Sequence, residues 1–161
     1  MNLTKIGLIS DTHNLLRTEA LRALAGVDHI LHLGDIGNPD ILEKLSRIAP
    51  VTAVRGNNDQ GEWAKDIAAL ETLQIKGHNL CLIHDVKDLP FEPSDEGIDV
   101  VISGHSHQPR IQERDTVLYV NPGSAGPRRF KLPVSVGFLE FAGGQIRARI
   151  QELPLKEATT A

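Results

Sequence analysis

Cysteine, methionine, tryptophan and tyrosine each occur once in this chain, and aromatic residues make up only 4% of it. A single cysteine excludes an internal disulfide framework. Its place in the apolar run Leu80-Cys81-Leu82-Ile83 makes Cys81 a small buried hydrophobe in a protein of a reducing compartment. No apolar run approaches the ~20 residues of a membrane span, and the opening apolar segment, Lys5 to Ser10, is too short for a signal-peptide core, so the sequence reads as soluble and cytoplasmic. Neither sign of charge dominates: 17 Lys and Arg stand against 21 Asp and Glu, a formal charge of −4. The cations are scattered, which speaks against a nucleic-acid or anionic-membrane surface. Low-complexity tracts, proline-rich linkers and internal repeats are missing as well. With 161 residues, 40% of them hydrophobic, the expectation is one domain spanning 1–161, its tail frayed from Pro154 onward.

Polar blocks are what the chain does have. Five follow directly on apolar runs: Asp11-Thr12-His13, Gly34-Asp35, Gly56-Asn57-Asn58-Asp59, Ile83-His84-Asp85 and Gly104-His105-Ser106-His107. Together they offer carboxylate, carboxamide and imidazole groups, the oxygen and nitrogen donors that hold a pair of divalent metals. Singly they say little, because Asp, Asn and Gly after a strand are common turn formers. Gly-His-x-His is the most specific, since a turn needs no second imidazole and alternate residues of an extended segment point the same way. Five complementary blocks in order exclude coincidence far better than any one.

Periodicity places the blocks. Ile6-Gly7-Leu8-Ile9 predicts a strand buried on both faces, Thr18 to Ala25 a helix, and Val27 to Leu33 a second strand. Asn38 and Pro39 read as the cap and first residue of a helix carrying Ile41, Leu42, Leu45 and Ile48, stopped by Pro50. Val51 to Arg55 is a third strand. Thereafter come hairpins: Thr72 to Ile75 with Leu80 to Ile83 across the turn Lys76-Gly77-His78-Asn79, Arg110 to Arg114 with Val117 to Val120, and Val134 to Phe141 with Gln145 to Glu152. Between the first two hairpins, Asp99 to Ser103 is a further strand. Four blocks follow strands assigned to the alternating sheet and the His84 block ends a hairpin strand, so all can gather at the carboxyl ends of strands on one rim. The fold class is α/β: two packed sheets with helices outside.

In its ordered blocks, residues 11 to 107, the chain resembles the calcineurin-like metallophosphoesterases, whose signature runs Asp-x-His, Gly-Asp, Gly-Asn-His-Asp or -Glu, His, and Gly-His-x-His. Asn121-Pro122-Gly123-Ser124 with Pro127-Arg128 is similar to the small bacterial and archaeal phosphodiesterase branch. The resemblance implies a four-layer sandwich, two mixed β-sheets flanked by helices, with a two-metal site on one edge. Carried over by position, it puts Asp11, His13, Asp35 and His107 on one ion and Asp35, Asn57, His84 and His105 on the other, Asp35 bridging. Two such ions, roughly 3.5–4 Å apart, would share a hydroxide that attacks a small phosphodiester. Mn²⁺ is favoured, with Ni²⁺, Co²⁺, Fe²⁺ and Zn²⁺ as alternatives. Two dications less Asp11, Asp35 and hydroxide leave about +1 to attract the phosphate.

The pattern departs from the family at Asn58, where members that cleave monoesters commonly carry a histidine able to protonate the leaving oxygen. Asn58 cannot supply that proton, which favours aryl or strained cyclic diesters over alkyl monoesters. Asn58 and Asp59 are the candidate catalytic residues, Asn58 through its amide and Asp59 as support for Asn58 or an imidazole. Asp85 stands where many relatives have glycine, either orienting an imidazole or facing solvent. Arg128 and Arg129 are read chiefly as solvated surface, Trp63 and Phe130 as packing, and His29, His32 and His78 as structural or solvent-facing, His78 in a turn. Two other functions share the resemblance: a protein-binding scaffold similar to the small retromer subunit, and a phosphomonoesterase.

Overall fold

Ile6-Gly7-Leu8-Ile9 forms the centre of β1 (Thr4–Ile9) in a computed structural model, which describes residues 3–129 and 131–155. Alternation explains its burial on both faces. Ile6 and Leu8 point into a core between two sheets, while Ile9 points into a core beneath α1 (Thr18–Ala23) and α2 (Pro39–Ser46). Gly7 faces the helices too, leaving room for Leu24, whose Cδ2 lies 2.6 Å from where a Cβ would stand. α2 starts as the sequence suggests: the Asn38 side chain accepts the Asp40 N–H at 2.9 Å, and Pro39 occupies the first turn, where its missing N–H is not needed.

The remaining strands are β2 (His29–His32), β3 (Val51–Ala53), β4 (Leu70–Ile75), β5 (His78–Ile83), β6 (Val100–Ile102), β7 (Arg110–Arg114), β8 (Val117–Asn121), β9 (Ser135–Ala142) and β10 (Gln145–Glu152). One sheet runs β10-β9-β1-β2-β3, with β1, β2 and β3 parallel. The other runs β4-β5-β6-β8-β7, with β5, β6 and β8 parallel between antiparallel edges. Leu8, Leu31, Leu82, Ile102, Val120 and Leu139 are buried between them. The sandwich expected from the sequence is therefore present, mixed in both sheets.

Four details differ from expectation. The first hairpin turn is two residues, not four: Lys76 and Gly77 both have positive φ, 51° and 82°, the backbone that matches the strand twist, so His78 and Asn79 belong to β5. The strand before the Gly104 block, β6, lies in the second sheet beside β5 and not in the alternating one. The outer layer on that sheet consists of short 3-10 turns, Val86–Asp88 and Pro93–Glu96, because Leu89 ahead of Pro90 leaves the helical region (ψ 125°) and Gly97 turns left-handed (φ 68°). These turns and their flanks bring Leu89 and Phe91 over Cys81, Ile83, Val101 and Val117. Lastly, Leu155 packs against the core beneath the helices, so Pro154 does not open a frayed tail; the rest of the expected tail, 156–161, lies outside the described residues. Among the described residues no helix is long and apolar enough to cross a membrane.

The topology sends β1, β2, β3, β5 and β6 toward the same edge of the sandwich. Each then releases one polar block.

Candidate metal centre

Beyond the last strand residues the backbone stays paired. Asp11 N–H donates to the Gly34 carbonyl at 3.0 Å, His13 N–H to Asp35 at 2.9 Å and Asn14 N–H to Ile36 at 3.1 Å, so the first two blocks form one rigid ribbon. The chain doubles back within it through left-handed residues. Asp11, His13, Asp35, His105 and His107 have φ of 56°, 44°, 55°, 72° and 64°. A non-glycine residue in such a sparsely populated region costs about 1–3 kcal/mol where strained, and such residues gather at functional sites. The third block comes close enough that a Cβ on Gly56 would collide with the Asp35 nitrogen and Oδ1. Only glycine fits there.

Two buried carboxylates sit at the centre. Asp11 Oδ2 accepts the Ser10 hydroxyl at 2.7 Å and the His105 N–H at 3.0 Å, while Asp11 Oδ1 has no hydrogen bond and faces Nε2 of His107, His13 and His84 at 3.5, 3.7 and 3.8 Å. Asp35 Oδ1 accepts the Asn58 N–H at 2.9 Å; Oδ2 accepts the Asn58 side-chain amide at 3.1 Å and lies 3.2 Å from His84 Nε2 and 3.6 Å from His13 Nε2. Burial opposes the charge on both, but the imidazoles and these donors outweigh it, lowering Asp11 and bringing Asp35 to about 2. The Asp11 carboxylate beside it raises His13 against burial and the nearby Arg129 charge. His84 is raised despite burial, chiefly by Asp35, whereas burial pushes His107 down.

The imidazoles are aimed. His84 Nδ1–H donates to the Leu33 carbonyl at 2.6 Å, which turns Nε2 toward the carboxylates. His105 Nδ1 lies 3.4 Å from that Nε2, with its own Nε2 3.6 Å from Asp85 Oδ2 on the outer side. Asn57 is exposed and lines a recess with His84 and His105. Asp11, His13 and His107 form one group of converging donors, and Asp11, Asp35 and His84 another. A divalent cation fits this arrangement. Asp11 Oδ1, His13 Nε2 and His107 Nδ1 are buried without hydrogen-bond partners, and an uncompensated buried carboxylate oxygen beside imidazole nitrogens is the environment a cation satisfies.

Residues outside the expected ligand set hold the loops. Both oxygens of Asp59 are spent on backbone N–H groups, Oδ1 on Ile36 and Gly37 at 2.8 and 3.1 Å and Oδ2 on Gly56 at 2.9 Å. That geometry makes it a brace between the second and third blocks, with neither oxygen turned toward Asn58 or an imidazole. Asn58, a candidate through its amide, has that amide on Asp35. His32, read as generic structure, is a second brace: Nδ1 accepts the Gly34 N–H at 3.1 Å, so Nε2–H donates to Thr12 Oγ1 at 3.0 Å, and that hydroxyl donates to the Ile36 carbonyl at 2.8 Å. Its signal was a histidine inside an otherwise apolar strand. Ser124 bonds the Asp11 carbonyl at 3.1 Å and Asn121 the Gly104 carbonyl at 2.9 Å, giving the Asn-Pro-Gly-Ser stretch a mechanical role. Arg129 is felt at His13 and His107. Trp63 packs against the core beneath the helices, and Phe130 lies outside the described residues.

Residues 4–144 match the family model of the calcineurin-like phosphoesterase superfamily domain. The chain belongs to that superfamily, whose metallophosphoesterases use divalent metal ions. It is 36% identical over 157 residues to a probable metallophosphoesterase of Methanothermobacter thermautotrophicus, covering 90% of each. It is 27% identical over 166 residues to a phosphodiesterase of Methanocaldococcus jannaschii, covering 92% of this chain and 99% of that one. Vacuolar protein sorting 29 of Cryptosporidium parvum shares the fold at a TM-score of 0.75 with 20% identity, over 94% of this chain and 98% of the other.

Complete burial pushes His32 down from 6.5 to about 3. Between those values the unfolded chain binds a proton that the folded chain refuses, so stability falls as pH drops, by about 1.4 kcal/mol per unit for this one group. Urea denaturation of chelator-treated protein from pH 7.5 to pH 4.5 should therefore show a steeper loss for wild type than for His32→Gln, which keeps one donor and one acceptor. Parallel pH profiles would contradict this assignment.

Proposed function

We propose that this protein is a binuclear, metal-dependent phosphodiesterase acting on small phosphodiesters. The observation that carries the reading is the position of Asp35 Oδ2, between His84 Nε2 at 3.2 Å and His13 Nε2 at 3.6 Å. Those two imidazoles belong to different proposed ligand sets, so the carboxylate between them is placed to be shared. The proposed sets are Asp11, His13, Asp35 and His107 for one ion, and Asp35, Asn57, His84 and His105 for the other. Mixed carboxylate, carboxamide and imidazole donors suit Mn²⁺, with Ni²⁺, Co²⁺, Fe²⁺ and Zn²⁺ as competitors. When bound, such a pair supplies an activated water and neutralises charge on the phosphoryl oxygens.

The chain's own residues do the rest. Asp11 and Asp35, ionised by their surroundings, recruit the cations. The Leu33 carbonyl fixes His84 as an acceptor toward them. Asn58 orients Asp35 and offers no proton, so the leaving oxygen departs unassisted by that side chain. Since general acid catalysis is worth about 10²–10⁴-fold, substrates with good leaving groups are favoured. Arg129 adds positive charge at the rim beside His13 and His107. A binding scaffold built on the same fold, the reading that the likeness to vacuolar protein sorting 29 keeps in view, has no need of strained backbone at five candidate ligands.

The test is hydrolysis of an aryl phosphodiester and the matching monoester by chelator-stripped protein, with and without Mn²⁺. Expected is metal-restored turnover with the diester well ahead; equal turnover in metal-free buffer would overturn the reading. In the same assay Asn58→His should raise the monoester rate relative to the diester rate. An unchanged ratio would mean that position 58 does not govern leaving-group choice.

A further inference from the structure

The outer face of the second sheet is covered over only part of its width. Leu89 and Phe91 lie over β5, β6 and the start of β8, Tyr119 packs at the margin of that patch, and β7 is exposed along its whole length. Arg110 and Arg114, on the same side of edge strand β7, and Tyr119 of β8 line a groove of about 310 Å³ there. One end of it reaches His105, with Lys87 and Asp85 at the border. The groove runs out from the candidate metal centre. Arg110 pairs with Asn121, whose amide holds the Gly104 carbonyl at 2.9 Å, and Arg114 lies four residues farther, about 13 Å along the strand.

Its charge is against the trend of the molecule. The chain carries −4, yet this lining sets Lys87, Arg110 and Arg114 against the single carboxylate Asp85. Among the described residues none of the three cations has a carboxylate partner within 4.0 Å. Arg114 lies 4.7 Å above the Tyr119 ring and donates to its hydroxyl at 3.2 Å, which fixes the guanidinium against the ring. A second recess, about 370 Å³, borders Asn57 and His84 and shares Asp85 and His105 with the groove; Leu70, Ile83 and Pro90 line it together with Arg55 and Asp88. Two hollows thus meet at His105, the first with an excess of cations and the second with Arg55 offset by Asp85 and Asp88, and a phosphodiester has two arms.

We propose that the groove receives one arm of the substrate, that this arm carries an anionic group of its own, a phosphate or carboxylate, and that Arg110 and Arg114 read it while the other arm lies in the second recess. This rests on the phosphodiesterase reading and adds the substrate class: a diester with a second negative charge beyond the scissile phosphate. Guanidinium groups recognise such oxyanions through paired N–H donors.

The experiment compares two p-nitrophenyl phosphodiesters with Mn²⁺-loaded protein, one with a plain phenyl second arm and one whose phenyl bears a phosphate; a third, bearing carboxylate, tells which anion is preferred. Expected is a KM about tenfold lower for the charged arms, an advantage shrinking with added salt, and Arg110→Gln, Arg114→Gln and their combination bringing the KM values together. Equal KM values in the wild type, or a preference that survives the double variant, would overturn the proposal. If no diester is turned over, the hydrolytic reading fails, and calorimetric titration of the same diesters decides the groove separately. Tighter binding of a charged diester by wild type than by the double variant upholds it; equal binding overturns it.

Discussion

Two carboxylates, Asp11 and Asp35, are held ionised inside the protein where the two sheets meet, and the rest of the rim is arranged around that constraint. An isolated buried carboxylate is costly and ordinarily takes up a proton. Here the opposite holds, because His13, His84 and His107 surround them and the Ser10 hydroxyl and the His105 and Asn58 N–H groups bond to them. That arrangement leaves Asp11 Oδ1 unpartnered, which is sensible for a site meant to hold cations and wasteful for any other purpose.

Holding the charges takes backbone as well as side chains. The loops after β1 and β2 continue to pair beyond the strands, and His32, Thr12 and Asp59 tie the turns to one another. Left-handed backbone at five candidate ligands is tolerated because these bonds over-determine it. The parallel strands explain why residues from 11 to 107 converge: each strand leaves the sheet at the same edge, so distance along the chain becomes proximity in space.

Much of this was legible in the chain itself. The apolar runs of β1, β2 and α2 announced themselves through burial period and the Asn38-Pro39 start, and the five blocks through their donor types and order. What was not legible depends on tertiary partners. Nothing local distinguishes Asp59 as a brace from Asp59 as a catalyst, since the difference lies in which N–H groups meet its oxygens. His32 reads as a stray histidine until Thr12 and Gly34 flank it. Lys76-Gly77 closes a tighter hairpin than its polar surroundings suggest, because lysine accepts the left-handed backbone there. The basic groove is invisible in a net-acidic sequence, since Lys87 joins Arg110 and Arg114 only through the packing of the second sheet.

Metal stoichiometry tests the central claim most directly. Chelator-stripped protein would be equilibrated with Mn²⁺, and bound metal per chain counted for wild type and for Asp35→Ala. Two ions per wild-type chain, and loss of both in the variant, is the result this account requires. One ion or none in the wild type, or a variant that still holds both, would contradict a centre built on a shared Asp35.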